Sequence, residues 1–171
     1  MMNTETTYYQ SPVGVIEIRS SEERITAVSF INSMKGAAVD EASIDFNPPS
    51  SPVIKDCIAE LSAYFRGERK EFTFPIQQTG TGFQQQVWTE LLNIPYGKTI
   101  SYMELSKRLG NVKAIRAVGT ANGNNSIAII VPCHRVIGSN GDLVGYAGDL
   151  WRKQWLLEHE AKIENGLQLL F

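Results

Sequence analysis

The feature that most constrains the fold is a short apolar run that ends at a Pro-Cys-His-Arg sequence. Residues 127–131 are rich in β-branched side chains, which predicts a buried strand. Pro132 has no N–H to donate to a sheet, so the strand must end there. Cys133 and His134 would point to opposite faces of a strand. They can act together only if the chain turns at Pro132, into a short helix with proline at its first position.

Two interpretations of Cys133 follow from its neighbours. A lone cysteine beside a strand is most often a small buried hydrophobe. Here, however, the adjacent His134 and the predicted helix start both favour a nucleophile. A positive helix end and a neighbouring imidazole would each lower the pKa of the thiol. We therefore expect a reactive thiolate at Cys133.

Two short helices are predicted immediately before this region. Ser101 and Glu104 have the spacing of a capping box, and Gly110 ends the helix that they begin. Asn111 can cap a second helix that runs to about residue 122. Two short helices joined by a glycine-containing turn form a helix-turn-helix pattern, which predicts DNA binding.

The second of these helices is small-sided, and Arg116 is its one long charged residue beyond the first turn. A helix that reads base edges in the major groove normally carries several polar side chains. A small-sided helix could instead approach a narrow groove closely, or its alanines could simply pack against the core.

The first half of the chain predicts a small α+β unit. Residues 8–19 and 25–30 suggest two strands, with a hairpin turn at 20–23, and residues 72–76 suggest a further strand. Between them, Ser51 and Pro52 begin an amphipathic helix that ends at Gly67, with Cys57 in the core. The polar residues 77–82 form a boundary, after which 83–92 predict another amphipathic helix.

The last helix is predicted to begin after Asp149, with Leu150, Trp151, Trp155 and Leu156 on its apolar side. Before it lie a tight turn at 139–142 and a small-residue loop at 145–148. The helix also carries His159 and Glu160.

The formal net charge of −2 argues against an obvious nucleic-acid binder, but the charge is unevenly distributed. Residues 1–81 carry a net −4 and residues 82–171 a net +2, while 98–135 alone carry a net +5. A basic segment of this size can contact phosphates, with modest and salt-sensitive affinity. It could also be no more than a solvated helix face. The two cysteines in the chain fit a reduced cytoplasmic protein, and its apolar runs are too short to predict a membrane span.

The residues in the second half resemble those of the O6-alkylguanine-DNA alkyltransferases. The resemblance lies in Pro132-Cys133-His134-Arg135-Val136, Ile100-Ser101-Tyr102, Arg116-Ala117-Val118-Gly119, Asn125, Gly145-Tyr146 and residues 155–160. It covers most of residues 82–162, in order and with near-family spacing. The first 80 residues carry a weaker resemblance.

The resemblance implies an α+β fold with a small ribonuclease H-like α/β domain at 1–80. A mainly helical domain at 82–165 would carry the helix-turn-helix and the active-site cysteine. It also implies direct-reversal DNA repair, in which the alkyl group of O6-alkylguanine, or of O4-alkylthymine, moves irreversibly to Cys133. The partner would be double-stranded DNA that contains the lesion, entered from the minor groove with the base flipped out. The protein would be a monomer without cofactor, metal or membrane attachment.

Residue roles are implied in the same way. Cys133 would be the nucleophile, His134 the base acting through a water, and Glu160 the carboxylate that orients it. Asn125 would brace the turn around the cysteine, and Tyr102 would protonate or hydrogen-bond the leaving guanine. Arg116 would fill the gap left by the flipped base. The remaining DNA- or base-binding residues would be Ala117, Asn111, Met103, Ser139, Val136, Gly145, Tyr146 and Gly148.

Ser126 and Ala147 depart from the family pattern, which puts pocket rigidity and tolerance of larger alkyl groups in question. Two other functions remain open at this stage. A non-catalytic lesion-binding regulator would keep its function without Cys133, and a cysteine hydrolase would turn over repeatedly. The basic segment and Arg116 would have no role in the hydrolase.

Overall fold

The first half of the chain folds into a three-stranded antiparallel sheet covered by one helix. The structure is a computed structural model, and it describes residues 3–143, 146 and 148–166. Strands β1 (Thr4–Ser11), β2 (Gly14–Ser21) and β3 (Arg24–Phe30) lie in sequence order. Helix α1 (Pro52–Phe65) packs on all three strands. Ile54 and Leu61 of its apolar stripe are fully buried, as the helical spacing predicted, while Ile58 is half-buried. Ile16 and Ile18 of β2 are also fully buried.

Two predicted strands in this half are wrong. The single strand expected at 8–19 is two strands, because the chain turns at Pro12 and Val13, and Gly14 takes a φ of +102° that favours glycine. Residues 72–76 form no strand. Only Ile76 bridges to Ile25, at the edge of β3. The neighbouring Pro75 has no N–H with which a longer ladder could continue.

The second half is mainly helical, and it contains the predicted helix-turn-helix. Helix α2 spans Gly82–Leu91, α3 spans Tyr102–Arg108 and α4 spans Ile115–Gly123, with a single 3₁₀ turn at Val112–Ala114 before α4. Two short parallel strands, β4 (Ile100–Ser101) and β5 (Val136–Ile137), tie α3 to the active-site segment. Helix α5 (Leu150–Glu164) is the last element of the described residues.

The turn between α3 and α4 has the predicted glycine and asparagine cap, but the start of α3 lacks the predicted capping box. Gly110 takes a φ of +78°, and the Asn111 side chain accepts a hydrogen bond from the Lys113 N–H at 3.1 Å. Ser101 accepts from the Glu104 N–H at 2.9 Å, but the Glu104 carboxylate lies 3.3 Å from Arg108 Nε instead of completing a capping box. The described residues place a complete capping box at the start of α2.

The apolar run at 127–131 is buried as expected, but it is not a strand. Ile129 has a φ of +72°, and the run folds on itself through the bonds from Ile130 N to Ala128 O and from Val131 N to Ile127 O, at 2.8 and 3.1 Å. Its pairing with β3 is a single bridge between Ile127 and Val28. The run therefore inserts into one apolar core to which both halves of the chain contribute.

Helix α5 also differs from its prediction. Leu150 and Trp151 are 47% and 52% exposed, so they lie off the buried face. That face carries Lys153, Leu156 and Glu160, all fully buried. Two charged side chains, Lys153 and Glu160, therefore share the buried face of α5, which we expected to be apolar. Within the described residues, the helices are all too short or too polar to cross a bilayer.

Candidate active site

Cys133 begins a single 3₁₀ turn, Cys133–Arg135, that follows the buried run. Pro132 precedes this turn and does not occupy its first position, because its backbone (φ −83°, ψ 63°) is not helical. The side chain of Cys133 is buried, and it lines a cavity of about 290 Å³. The opposite wall of that cavity comes from β3 and the loop that follows it, including Phe30 and Gly36.

Asn125 braces this turn through several hydrogen bonds. Its Nδ2 donates to the Val131 carbonyl at 2.8 Å and to Cys133 Sγ at 3.1 Å. Its Oδ1 accepts from the Ile127 N–H at 3.1 Å and from Gln78 Nε2 at 2.7 Å. The amide that donates to Sγ is thus held both by the buried stretch 127–133 and by Gln78, and a donor at this position favours the thiolate.

The expected lowering of the Cys133 pKa is wrong for this resting structure. Burial raises the pKa of the thiol, and hydrogen bonding by Asn125 and the charge of Lys153 oppose it only in part. One 3₁₀ turn carries too few aligned peptides for the helix dipole that we invoked. The thiol must therefore lose its proton to a base within the site.

His134 and Glu160 form a buried pair beneath the cysteine. Both side chains are inaccessible to solvent, and His134 Nε2 lies 2.7 Å from Glu160 Oε2. Burial lowers the pKa of His134 despite the carboxylate beside it. Burial opposes the charge of Glu160, but His134 and Arg135 outweigh that effect and hold the Glu160 pKa well below its usual range. The pair is therefore a neutral imidazole against a carboxylate.

This pairing determines which ring nitrogen of His134 can take a proton. Nε2 faces the carboxylate and so carries the hydrogen, which leaves Nδ1 as the basic nitrogen. Nδ1 is buried and has no hydrogen-bond partner among the described residues. His134 is thus oriented as a general base, with Glu160 in the position of the third group in a nucleophile–base–carboxylate relay.

Tyr102 reaches the same site from the start of α3. Its hydroxyl is hydrogen-bonded by the Asn122 side chain. Burial and the nearby Cys133 raise the Tyr102 pKa, so the phenol keeps its proton and can donate it. The ring lies along α4, where a Cβ at Gly119 would make an ordinary van der Waals contact with it at 3.8 Å.

A groove of about 760 Å³ runs along α4 beside this site. Tyr102, Arg116, Gly119 and Tyr146 contribute to its walls. Arg116 and Ala117 are exposed on α4, and Asn111 and Ser139 are exposed on loops. Met103 is half-buried, while Val136, Tyr146 and Gly148 are buried. Gly145, which we predicted to bind the base, and Ala147, which departs from the family pattern, lie outside the described residues.

Sequence reasoning missed three residues of this site. Lys153 is fully buried near Cys133, Asn122 donates to the Cys133 carbonyl at 3.3 Å, and Arg135 donates to Glu160 from Nε at 2.8 Å. Lys153 lies seven residues before Glu160, which places both on one face of α5. That spacing was a readable signal. The described residues contain no cluster of three or more His, Cys, Asp or Glu side chains suited to a metal.

The fold and site together define a class of protein. It is an α+β protein with a buried cysteine next to a buried histidine–carboxylate pair, in a cavity that shares Gly123 and Tyr146 with the groove of a helix-turn-helix. The family model for the 6-O-methylguanine DNA methyltransferase DNA binding domain matches residues 82–162, and the ribonuclease-like domain of the same proteins matches residues 5–78.

Individual proteins agree with these matches. A methylated-DNA–protein-cysteine methyltransferase of Mycobacterium bovis is 53% identical over 150 residues, 88% of each chain. The protein of that name from Methanosarcina acetivorans is 44% identical over 152 residues, 89% of this chain and 95% of the other. The crystal structure of Mycobacterium tuberculosis O6-methylguanine methyltransferase superposes with a TM-score of 0.81 at 39% identity, over 94% of both chains.

The chain therefore belongs to the 6-O-methylguanine DNA methyltransferase family. This result confirms the family that the active-site motifs resembled. It also confirms the expected α+β fold with a ribonuclease-like N-terminal part. A further similar structure, at 40% identity and a TM-score of 0.81, is the M. tuberculosis OGT in complex with DNA.

Proposed function

We propose that this protein repairs double-stranded DNA by transferring the alkyl group of O6-alkylguanine to Cys133 Sγ. The observation that carries the proposal is the buried cluster in which Asn125 donates to Sγ beside the His134–Glu160 pair. This cluster opens into a cavity next to the helix-turn-helix groove. The printed names of the relatives describe the same activity for those proteins.

The reaction uses the cluster in three proton transfers and one substitution. The thiol proton of Cys133 passes to His134 Nδ1 through a bridging water, and Glu160 stabilises the imidazolium that forms. The thiolate attacks the alkyl carbon, and the carbon–O6 bond breaks with its electron pair left on guanine. Tyr102 supplies a proton to the guanine ring, and the proton held by His134 then returns to the Tyr102 phenolate, which leaves both side chains neutral. The products are guanine and a thioether.

Substrate entry requires the damaged base to leave the duplex, since Cys133 is buried. Base flipping costs a few kcal/mol, and less when the lesion has already weakened pairing. The exposed Arg116 on the small-sided α4 is suited to fill the gap from the minor groove. The net positive segment 98–135 supplies phosphate contacts.

A carbon–sulfur thioether is not hydrolysed by any group that the described residues place beside Cys133. The protein should therefore react once, which separates it from a cysteine hydrolase. It also differs from a lesion-binding regulator, which would need no basic nitrogen such as His134 Nδ1 in its site.

The decisive experiment mixes the protein with a duplex that contains one O6-methylguanine and measures the intact mass. We expect one methyl group per protein, mapped to the Cys133 peptide, and none on Cys133→Ala. More than one product per protein would indicate a hydrolase. Binding without a mass gain would indicate the regulator. A second duplex with O4-methylthymine tests the wider substrate range.

We also propose that the protein acts as a monomer in the cytoplasm. The two cysteines are free thiols in the structure, and a suicide nucleophile needs a reducing compartment. Light scattering of the protein with and without DNA, and fractionation of cells that express it, test these two statements.

A further inference from the structure

Asn122 is a buried amide near the end of α4 to which the proposed mechanism gives no role. Only 1% of its surface is exposed, whereas Asn124, two residues later, is exposed. A buried polar side chain must recover through hydrogen bonds the cost of leaving water. The bonds that Asn122 makes therefore indicate what it does in this site.

The side-chain nitrogen of Asn122 contacts two of the reacting residues. Its Nδ2 donates to the backbone carbonyl of Cys133 at 3.3 Å. The same side chain is hydrogen-bonded to the Tyr102 hydroxyl, and because this bond favours the phenolate, the amide is the donor. An amide nitrogen carries two hydrogens, so Nδ2 can serve both acceptors. Asn122 thus joins the backbone of the nucleophile to the proposed proton donor.

The Cys133 carbonyl determines which end of the Asn122 amide faces the site. A carbonyl oxygen only accepts hydrogen bonds, so Nδ2 and not Oδ1 must point toward it. Oδ1 is buried and has no hydrogen-bond partner among the described residues. An apolar side chain could fill this position without leaving an unpaired acceptor, so packing alone does not explain an asparagine here.

The direction of the bond between Asn122 and Tyr102 determines how the phenol can act. The Tyr102 oxygen accepts from the amide, so this bond does not use the phenol hydrogen. An amide oxygen in the same place would accept that hydrogen and hold it away from the guanine. Donation to the Tyr102 oxygen also stabilises the negative charge that grows there as the proton moves to the leaving base.

We propose that Asn122 is a positioning residue for alkyl transfer, which directs the Tyr102 hydroxyl toward the leaving guanine and stabilises the phenolate that forms. Tyr102 gives its proton to the guanine ring as the carbon–O6 bond breaks, and the proton held by His134 then restores the phenol. Asn122 keeps both of its amide hydrogens throughout. This inference rests on the proposed function, and it adds the group that orients the acid.

The experiment compares two methyl donors that differ in their leaving group. Guanine in an O6-methylguanine duplex needs a proton to leave, whereas iodide leaves methyl iodide unaided. Single-turnover rates are measured with both donors, and peptide mapping counts only the methyl groups on Cys133. The variants are Asn122→Leu and Asn122→Ala, which both lack the donor but differ in size. Asn93→Leu is the matched control, since it removes an exposed asparagine just after α2.

We expect both Asn122 variants to react roughly 10- to 100-fold more slowly with the duplex, as for a lost hydrogen bond to a developing charge. Methyl iodide should alkylate Cys133 in these variants at the wild-type rate, and Asn93→Leu should match the wild type with both donors. In a Tyr102→Phe background, Asn122→Leu should slow the duplex reaction by less than about twofold further, because Asn122 acts through the phenol.

Slowing by Asn122→Leu that extends to methyl iodide, or that persists in full in the Tyr102→Phe background, would show that Asn122 only shapes the turn around Cys133 and would overturn the inference. An unchanged duplex rate would do the same. If neither Asn122 variant folds, NMR of protein labelled with ¹⁵N-asparagine decides, because an Asn122 side-chain resonance that does not move in Tyr102→Phe contradicts the bond. A wild type that accepts methyl from methyl iodide but not from the duplex refutes the proposed function, and this inference with it.

Discussion

Replacing Glu160 by glutamine should destabilise the protein as well as slow its reaction. The Glu160 carboxylate accepts hydrogen bonds from Tyr64 Oη at 2.6 Å, Gly97 N at 3.2 Å, His134 Nε2 at 2.7 Å and Arg135 Nε at 2.8 Å. A glutamine keeps one acceptor oxygen, but it turns an NH₂ group toward these donors. It also leaves the buried Arg135 guanidinium without a counter-charge.

The magnitude follows from this loss. Removing one partner of a buried ion pair costs about 3–5 kcal/mol of unfolding free energy. For a chain of this length, that corresponds to a fall of roughly 6–20 °C in Tm. The matched control is Glu158→Gln, which removes an exposed carboxylate from the same helix. It should change the unfolding free energy by less than about 0.5 kcal/mol.

The effect also has a defined pH dependence. The folded-state pKa of Glu160 lies below the ordinary carboxyl value of 4.5, so its contribution to stability is complete above 4.5 and is lost as the pH falls. The difference between wild type and Glu160→Gln should therefore be constant near neutrality and shrink in acid.

Urea unfolding followed by tryptophan fluorescence at several pH values measures both quantities. A Glu160→Gln variant within about 1 kcal/mol of the wild type would contradict the assigned network. So would a difference that stays unchanged in acid. The double variant Arg135→Met/Glu160→Gln should recover part of the loss, because the guanidinium that lost its counter-charge is then removed as well.

Three further substitutions test other parts of the site. Asn125→Ala removes the donor to Cys133 Sγ and should slow single-turnover transfer by roughly 5- to 150-fold, for roughly 1–3 kcal/mol lost; an unchanged rate would refute the bracing role. Arg116→Ala should weaken binding to a lesion duplex in fluorescence anisotropy and reduce the salt slope by about one, while alkylation of Cys133 by free O6-methylguanine base stays the same. In Gly148→Ala the new Cβ would lie 2.8 Å from Tyr146 Cε2 and closer still to the Phe30 ring, so thermal melting should show about 1–3 kcal/mol of destabilisation.

The local elements of the fold could be predicted because each one is specified by a few neighbouring residues. Proline at the start of α1, Gly110 at the turn of the helix-turn-helix and the Ser101 cap all act within one helical turn. The turn at Pro12 and Gly14, which our prediction missed, could also have been found from neighbouring residues. Its proline and glycine were visible signals, and the β-branched residues around them were given too much weight.

The strands predicted at 72–76 and 127–131 failed for a different reason. Both segments have strand-forming composition, but a strand exists only if a partner offers its hydrogen bonds. β3 offers each segment a single bridge, at Ile25 and Val28, and this geometry depends on how the two halves of the chain pack.

The sequence by itself determined the family, the helix-turn-helix and the identity of the candidate nucleophile, because adjacent residues carry all three. Only the tertiary structure decided the ionisation of the site. Burial of Cys133 raises the pKa of a thiol that local reasoning made acidic, and the fold places Glu160 against His134, which lies 26 positions earlier, and Lys153 near Cys133. Electrostatic energies depend on distance in space and on exclusion of water, and neither quantity exists until the chain has folded.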